Sequence, residues 1–290
     1  MRRTKAFTLV ELLVVVGIIG MLAAMLMPSA VAIMEMVRQN MCMSNLRNLG
    51  TAVHVYRQRN DQRVPWIPNV SSDFAAVATG TNRDRDPGED PDAAGERSIT
   101  AVMFLLVRDG HSPGLFLCPS DDTAVEDTHV RWDHDGDDTT ASEFYWDFSE
   151  AGNVSFSWQA PVRKGDRYVH GVGDDEPAAV LMADRTPASD DDAWQPLAMS
   201  DEASREDIRR NMSLNHAGEV VNLLRMDLAV KRVKRPDVGV DRDNIYTASG
   251  LKAGGSRGAT SLDLADHLSP ADSFLIGPVG ETDDDADAGP

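Results

Sequence analysis

Hydrophobic pattern divides the chain into three unequal parts. Residues 7–27 are almost wholly apolar, with Glu11 as their one charge. At 1.5 Å per residue a helix of that length reaches roughly 30 Å, the thickness of a bilayer's hydrocarbon core. Beyond Pro28 the pattern turns amphipathic. Cys42, Leu46, Leu49, Val53 and Tyr56 fall at i, i+4, i+7, i+11 and i+14, one face of a helix, and Ile33, Val37 and Met41 lead into it. Arg38, Asn40, Asn45, Arg47, Asn48 and His54 take the opposite face. The spacing predicts one helix over about residues 7–58, roughly 75–80 Å long, whose first half crosses a bilayer and whose second half packs on a folded domain. Pro28 should bend it, because its ring removes one hydrogen bond and crowds the preceding turn.

The remainder is mixed. Residues 61–98 hold Pro65, Pro68, Pro87 and Pro91 among many Asp, Gly and Asn, and read as loop. The apolar run 98–107 fits a short helix or a buried strand, and 115–118, stopped by Pro119, reads as a short strand. Strands are also expected at 154–159, which alternates, and at 178–182. Residues 219–224 and 229–233 read as a hairpin turning near Asp227. After Asp237 the Gly- and Asp-rich composition argues for loops and a disordered tail. The expected fold is α+β: a long N-terminal helix packed on a small, mostly antiparallel sheet with long loops.

Charge sharpens this division. Through Asn60 there are seven Lys/Arg against two acids, a balance of +5, so the remainder carries −19 − 5 = −24. A domain this acidic repels nucleic acid and anionic headgroups and attracts cations, which excludes a nucleic-acid partner. Arg2, Arg3 and Lys5 precede the apolar run, and no comparable cluster follows before Arg38. Positive charge stays cytoplasmic, so the N-terminus is expected inside and everything after the helix outside the cytoplasmic membrane. A secretory signal peptide has a shorter apolar centre than this one. A plain single-pass anchor leaves Glu11 unexplained, since a carboxylate inside a membrane helix costs about 2.5–3.5 kcal/mol on insertion scales. The two cysteines, Cys42 and Cys118, match neither a zinc framework nor a disulfide-rich scaffold. They read either as one disulfide, which an extracytoplasmic location permits, or as two buried free thiols.

The segment Lys5-Ala6-Phe7-Thr8-Leu9-Val10-Glu11-Leu12-Leu13 resembles the processing signature of type IV prepilins and type II secretion pseudopilins. The resemblance implies cleavage between Ala6 and Phe7 by a membrane prepilin peptidase/methyltransferase and N-methylation of Phe7. Ala6 stands where the family usually has Gly. Glu11 then becomes the fifth mature residue, the position of the family's glutamate, and Pro28 falls where many pilins have a helix-bending proline. A carboxylate at Glu11 would pair with the terminal amine of a neighbouring subunit, each offsetting the other's desolvation. Gly17, Gly20, Ala23 and Ala24 would let packed helices approach. The layout this implies is a cytoplasmic leader at 1–6, a transmembrane helix at 7–28 and its amphipathic continuation at 29–60. An extracytoplasmic globular domain follows at 61–240, then a loop-rich acidic tail at 241–290. The stretch from Cys42 to Tyr56, then Cys118-Pro-Ser-Asp121, is similar to a pilin-like group of planctomycetes. That group often carries His, nine residues, then Asp-Gly. Here ten residues separate His216 from Asp227, and Leu228 replaces the Gly.

Other chemistry is thinner. Asp133, Asp135, Asp137 and Asp138, around His134 and Gly136, form the densest ligand cluster, and alternating Asp residues direct oxygens at a calcium ion. The run does not fit an EF-hand loop, and a solvated acidic loop is the default reading, so the expected cofactor is none, with calcium as the alternative. His54, among Arg57 and Arg59, reads as solvated. His216 with Asp184, Asp227 and Ser213 would suggest a hydrolase, but no nucleophile elbow or zinc-protease motif occurs. A structural histidine beside a hairpin is the better reading, and no enzyme is expected. The expected function is a pseudopilin or minor pilin of a type II secretion-like or type IV pilus-like system. Its partners would be other pilin-like subunits, the peptidase and an inner-membrane assembly platform, and it would sit in the inner membrane or in a filament built from it. The rival is a membrane-tethered extracytoplasmic enzyme or ligand-binding protein that uses the same export signal.

Overall fold

A computed structural model describes residues 8–67, 78–81, 83–86, 97–127, 145–159, 162–164, 167–169, 177–187, 203–239, 244–246 and 275–276. Helix α1 spans Leu9–Arg59 as one element, continuous across position 28. From Cys42 onward its predicted apolar stripe is the one that goes inward: Cys42, Leu46, Leu49, Ala52 and Val53 are buried. Ile33, Val37 and Met41 are exposed instead of joining it. At 100° per residue, Ile33 lies about 180° and Val37 about 140° around the helix from Cys42. The inward stripe is continued at that end by Glu35 and Gln39, both half-buried.

A five-stranded sheet receives this stripe. Its strands are β1 (Phe156–Gln159), β4 (Val180–Asp184), β5 (Val221–Arg225), β6 (Val230–Val233) and β7 (Leu275–Ile276). They lie in the order β6-β5-β4-β1-β7, with every neighbouring pair antiparallel. β2 (Val162–Lys164) and β3 (Arg167–Val169) pair separately as a hairpin. The β5–β6 hairpin forms where the alternating pattern places it, with Asn222 opposite Arg232 and Leu224 opposite Val230. Asp227 sits at its turn, where its Oδ1 accepts from the Ala229 N–H at 2.9 Å.

Both faces of the sheet are covered, because successive strand residues point to opposite sides. Leu224 joins the core beneath α1, together with Phe156, Trp158 and Leu181. Val221 and Leu223 join a second cluster with Met212, Ile245, Tyr246 and Leu275. Gly50 sets how closely α1 lies on β5: a Cβ there would come 2.9 Å from Leu224 Cδ1. Helix α2 (Ile99–Arg108) is the form the run at 98–107 takes, buried on nearly every side. Phe104 and Phe116 each meet the Phe148 ring edge-on, with centroids 5.1 and 5.2 Å away.

Two expectations need correction. The segment read as a strand at 115–118 begins as a 3-10 turn, Pro113–Phe116, with the Leu115 N–H bonded to the Ser112 carbonyl. Proline at its first positions fixes a helical φ there, and no partner strand pairs with it among the described residues. The region after Asp237 is not only loop. Leu275–Ile276 adds an edge strand to β1, and Ile245 and Tyr246 are fully buried.

Candidate functional site

Two regions carry candidate chemistry, the N-terminal helix and a buried polar cluster at the helix–sheet junction. Ala6 and Phe7, the expected cleavage pair, lie outside the described residues, as does the acidic loop with Asp133, Asp135, Asp137 and Asp138. Helix α1 begins at a capping box. Thr8 donates from its backbone N–H and from its hydroxyl to Glu11 Oε2, at 2.9 and 2.8 Å, and its Oγ1 accepts from the Glu11 N–H at 3.2 Å. Glu11 therefore has a local partner within a single subunit, satisfying N-terminal donors that no helical carbonyl reaches. Thr-x-x-Glu before an apolar run is a capping signature, and the sequence reading passed over it. Along its apolar first half the helix is bare: its most hydrophobic stretch is not buried at all. A Cβ at Gly17 or Gly20 would meet nothing within 4 Å, so the small-residue face is open.

The buried cluster joins four segments. Cys42 comes from α1, Cys118 follows the 3-10 turn, Asp184 ends β4 and His216 lies in the turn before β5. Left-handed backbone at Ala217 and Gly218 swings the chain from His216 into that strand. All four side chains are buried, and their ligand atoms lie within 4.8 Å of one another. Cys42 Sγ donates to Asp184 Oδ1 at 3.1 Å. Cys118 Sγ is 3.6 Å from His216 Nε2, and Asp184 Oδ2 is 3.5 Å from the same nitrogen. Both cysteines are free thiols here, and the bridge weighed for them is not formed.

A second ring of groups fixes these four. Glu35 Oε1 lies 2.9 Å from His216 Nδ1, and Ser120 Oγ donates to both Glu35 oxygens at 3.0 Å. A carboxylate only accepts, so Nδ1 carries the proton in that bond. The Asn222 N–H donates to Asp184 Oδ2 at 2.7 Å. Asn222 Oδ1 accepts from Arg232 Nε at 3.2 Å, which turns its Nδ2 toward His216 Nε2 at 2.9 Å. In the neutral ring Nε2 is then the acceptor, with its lone pair facing the cluster, whereas in the charged ring Nε2 carries a proton toward Cys118 and Asp184.

Electrostatics follow from the packing. Burial pushes the Cys42 thiol well up. The Cys42 thiol hydrogen bond holds Cys118 down, at about 6. Burial raises Asp184 to about 7. Burial opposes a charge on His216, yet Cys118, Asp184 and Glu35 together raise its proton affinity to about 9. Desolvation works against the Glu35 charge too, but the bonds from His216 and Ser120 hold that carboxyl below its usual value. The cluster is thus negative-leaning and attractive to a cation, with sulfur, nitrogen and oxygen donors converging.

Residues 1–27 match the family model of the prokaryotic N-terminal methylation motif. The chain carries a type IV pilin-like signal. No characterised protein and no solved structure matches it. The pilin-like signal contains Ala6, Phe7 and Glu11, ends one residue before Pro28, and stops short of the buried cluster. Of the residues singled out by sequence, Cys42, Cys118, Asp184 and His216 meet at one place. Asp227 is instead engaged at its hairpin turn, and His54 is an exposed residue beside Gln58 on the helix surface. Glu35, Ser120 and Asn222 were missed. Glu35 was detectable: it stands seven residues before Cys42, in phase with the stripe 35, 39, 42, 46, 49, 53, 56.

Proposed function

We propose that this chain is a non-enzymatic, pilin-like assembly subunit, a pseudopilin or minor pilin of a type II secretion-like or type IV pilus-like system. The supporting observation is a methylation motif on an exposed apolar helix that runs unbroken into the core of a folded domain. Such a helix cannot stay in water, so it anchors the chain in a membrane and packs there against its like. Removal of residues 1–6 by a prepilin peptidase would leave Phe7 as an N-methylated amine at the membrane boundary. The Glu11 carboxylate, steadied by Thr8, would pair with that amine on the next subunit and set the axial step. An inner-membrane assembly platform would add subunits, and the acidic domain would face outward. The rival, a tethered enzyme or ligand-binding protein, needs the anchor but not Glu11.

Mass spectrometry of the mature N-terminus and a Glu11→Leu variant test the proposal. The mature chain should begin at methylated Phe7. The variant should be anchored and folded yet fail to co-purify or crosslink with wild-type subunits. A wild-type chain that keeps residues 1–6, or a variant that assembles like wild type, refutes it.

A further inference from the structure

We propose that Cys42, Cys118, Asp184 and His216 form a closed, structural site for a thiophilic divalent transition metal, with zinc(II) the ion that fits the donor set best. Two sulfurs, one imidazole nitrogen and one carboxylate oxygen exclude calcium and magnesium, which take oxygen ligands. Zinc accepts all four donor types, in tetrahedral sites with bonds of about 2.0–2.3 Å. Those bonds set neighbouring donors about 3.3–3.8 Å apart. Cys118 Sγ and His216 Nε2, 3.6 Å apart, already stand at that spacing, and Asp184 offers as its one bonded oxygen either Oδ2, 3.5 Å from Nε2, or Oδ1, 3.1 Å from Cys42 Sγ. The widest, under 4.8 Å, closes with a small shift of the side chains.

The surroundings are those of a ligand shell as well. His216 turns Nε2 inward because Glu35 takes the Nδ1 proton, the carboxylate–histidine–metal arrangement that orients a ring and strengthens it as a donor. Asp184 is oriented by the Asn222 N–H. The Asn222 Nδ2 bond to Nε2 gives way when the lone pair goes to the ion. Binding releases to solvent the Cys42 thiol proton, the proton held between Cys118 and His216 Nε2, and any proton on Asp184, and two thiolates and a carboxylate then face a dipositive ion. Four protein ligands leave no open position for a substrate, so the role is a staple. It ties α1 to the end of β4, to the turn before β5 and to the loop after Phe116. The competing state is a Cys42–Cys118 disulfide, which would consume both sulfurs. The site rests on domain residues alone, so its fate and that of the assembly reading are independent.

The test uses the full chain, purified reduced in detergent micelles, stripped of metal and titrated with cobalt(II) and then zinc(II). One equivalent of cobalt should give intense tetrahedral ligand-field bands and thiolate-to-cobalt charge transfer, and zinc should bleach both. Zinc should also protect both thiols from alkylation and raise the melting temperature. Cys118→Ser should lose much of the charge-transfer intensity, and Glu35→Gln should weaken affinity by about 10–100-fold. His54→Ala, on the exposed face of α1, should bind like wild type. Because the cobalt spectrum of the unaltered chain is decisive, a variant that misfolds does not block the test. No band at micromolar cobalt, an octahedral spectrum, or a Cys42–Cys118 disulfide in native chain trapped by alkylation at lysis would each overturn the proposal.

Discussion

Removing the Glu35 carboxylate should loosen the grip of the domain on the helix where it emerges from the apolar segment. Among the described side chains of α1, Glu35 is the first to face inward, and its oxygens accept from His216 Nδ1 at 2.9 Å and from Ser120 Oγ at 3.0 Å. The His216 ring is fully buried, whereas the Glu35 side chain is 31% exposed. A hydrogen bond to a charged group contributes about 1.5–3 kcal/mol, and a buried donor left without its partner costs about 1–3 kcal/mol. The two figures describe one interaction and overlap. Water reaching the Glu35 side lowers the sum, and the better helix propensity of alanine returns a few tenths. Glu35→Ala should therefore destabilise the fold by about 2 kcal/mol, while Glu35→Gln, which keeps an acceptor, should cost less than half as much. Urea unfolding of the full chain in detergent, with chelator and reductant present and tryptophan fluorescence as readout, measures the difference. For a slope near 2 kcal/mol per molar, the midpoint should fall by about 1 M. A midpoint that stays in place for Glu35→Ala would refute the assignment of this carboxylate as the clamp.

Asp147, fully buried and raised by burial to about 6 from 3.8, holds its proton more tightly in the folded state than in the unfolded chain. Its protonated form therefore favours folding at low pH, and that contribution is lost as pH rises through about 6. Measured against Asp147→Asn by urea titration, wild type should gain about 2 kcal/mol between pH 7 and pH 4, and a flat difference would contradict the burial argument. Gly80 has a left-handed φ of +93°, and a Cβ there would come 2.7 Å from the Ser149 carbonyl oxygen, so Gly80→Ala should cost roughly 2 kcal/mol or more in the same assay.

Periodicity made the scaffold legible. The stripe from Cys42 to Val53 goes inward as its spacing predicts, and the β5–β6 hairpin pairs where its two runs place it. The alternation at 154–159 marks a strand, yet every residue there is buried, because both faces of the sheet are covered. The segment at 115–118 misled because a short apolar run carries no period, and the proline at 113 outweighs it. β7 had no local signal, since two residues are too few to show alternation and only the open edge of β1 defines them. Leu228, at the β5–β6 turn, adopts φ +66°, the left-handed geometry that glycine reaches most easily. The buried cluster was legible only as isolated residues. Its members lie far apart in sequence, and whether Cys42 meets Asp184 depends on the register of the sheet beneath the helix. Glu35 was overlooked because it follows an apolar run, although its phase with Cys42 marks it as facing the domain.

Sequence separation within the cluster has a temporal consequence. Asp184, the partner of the Cys42 thiol, follows 142 residues later, and His216, the partner of Glu35, follows 181 residues later. At about 5–20 residues per second of synthesis, those partners arrive roughly 7 to 36 seconds after the residues that await them. Throughout that interval the newborn chain presents a naked sulfhydryl, open to oxidants and chaperones before its own fold can shelter it.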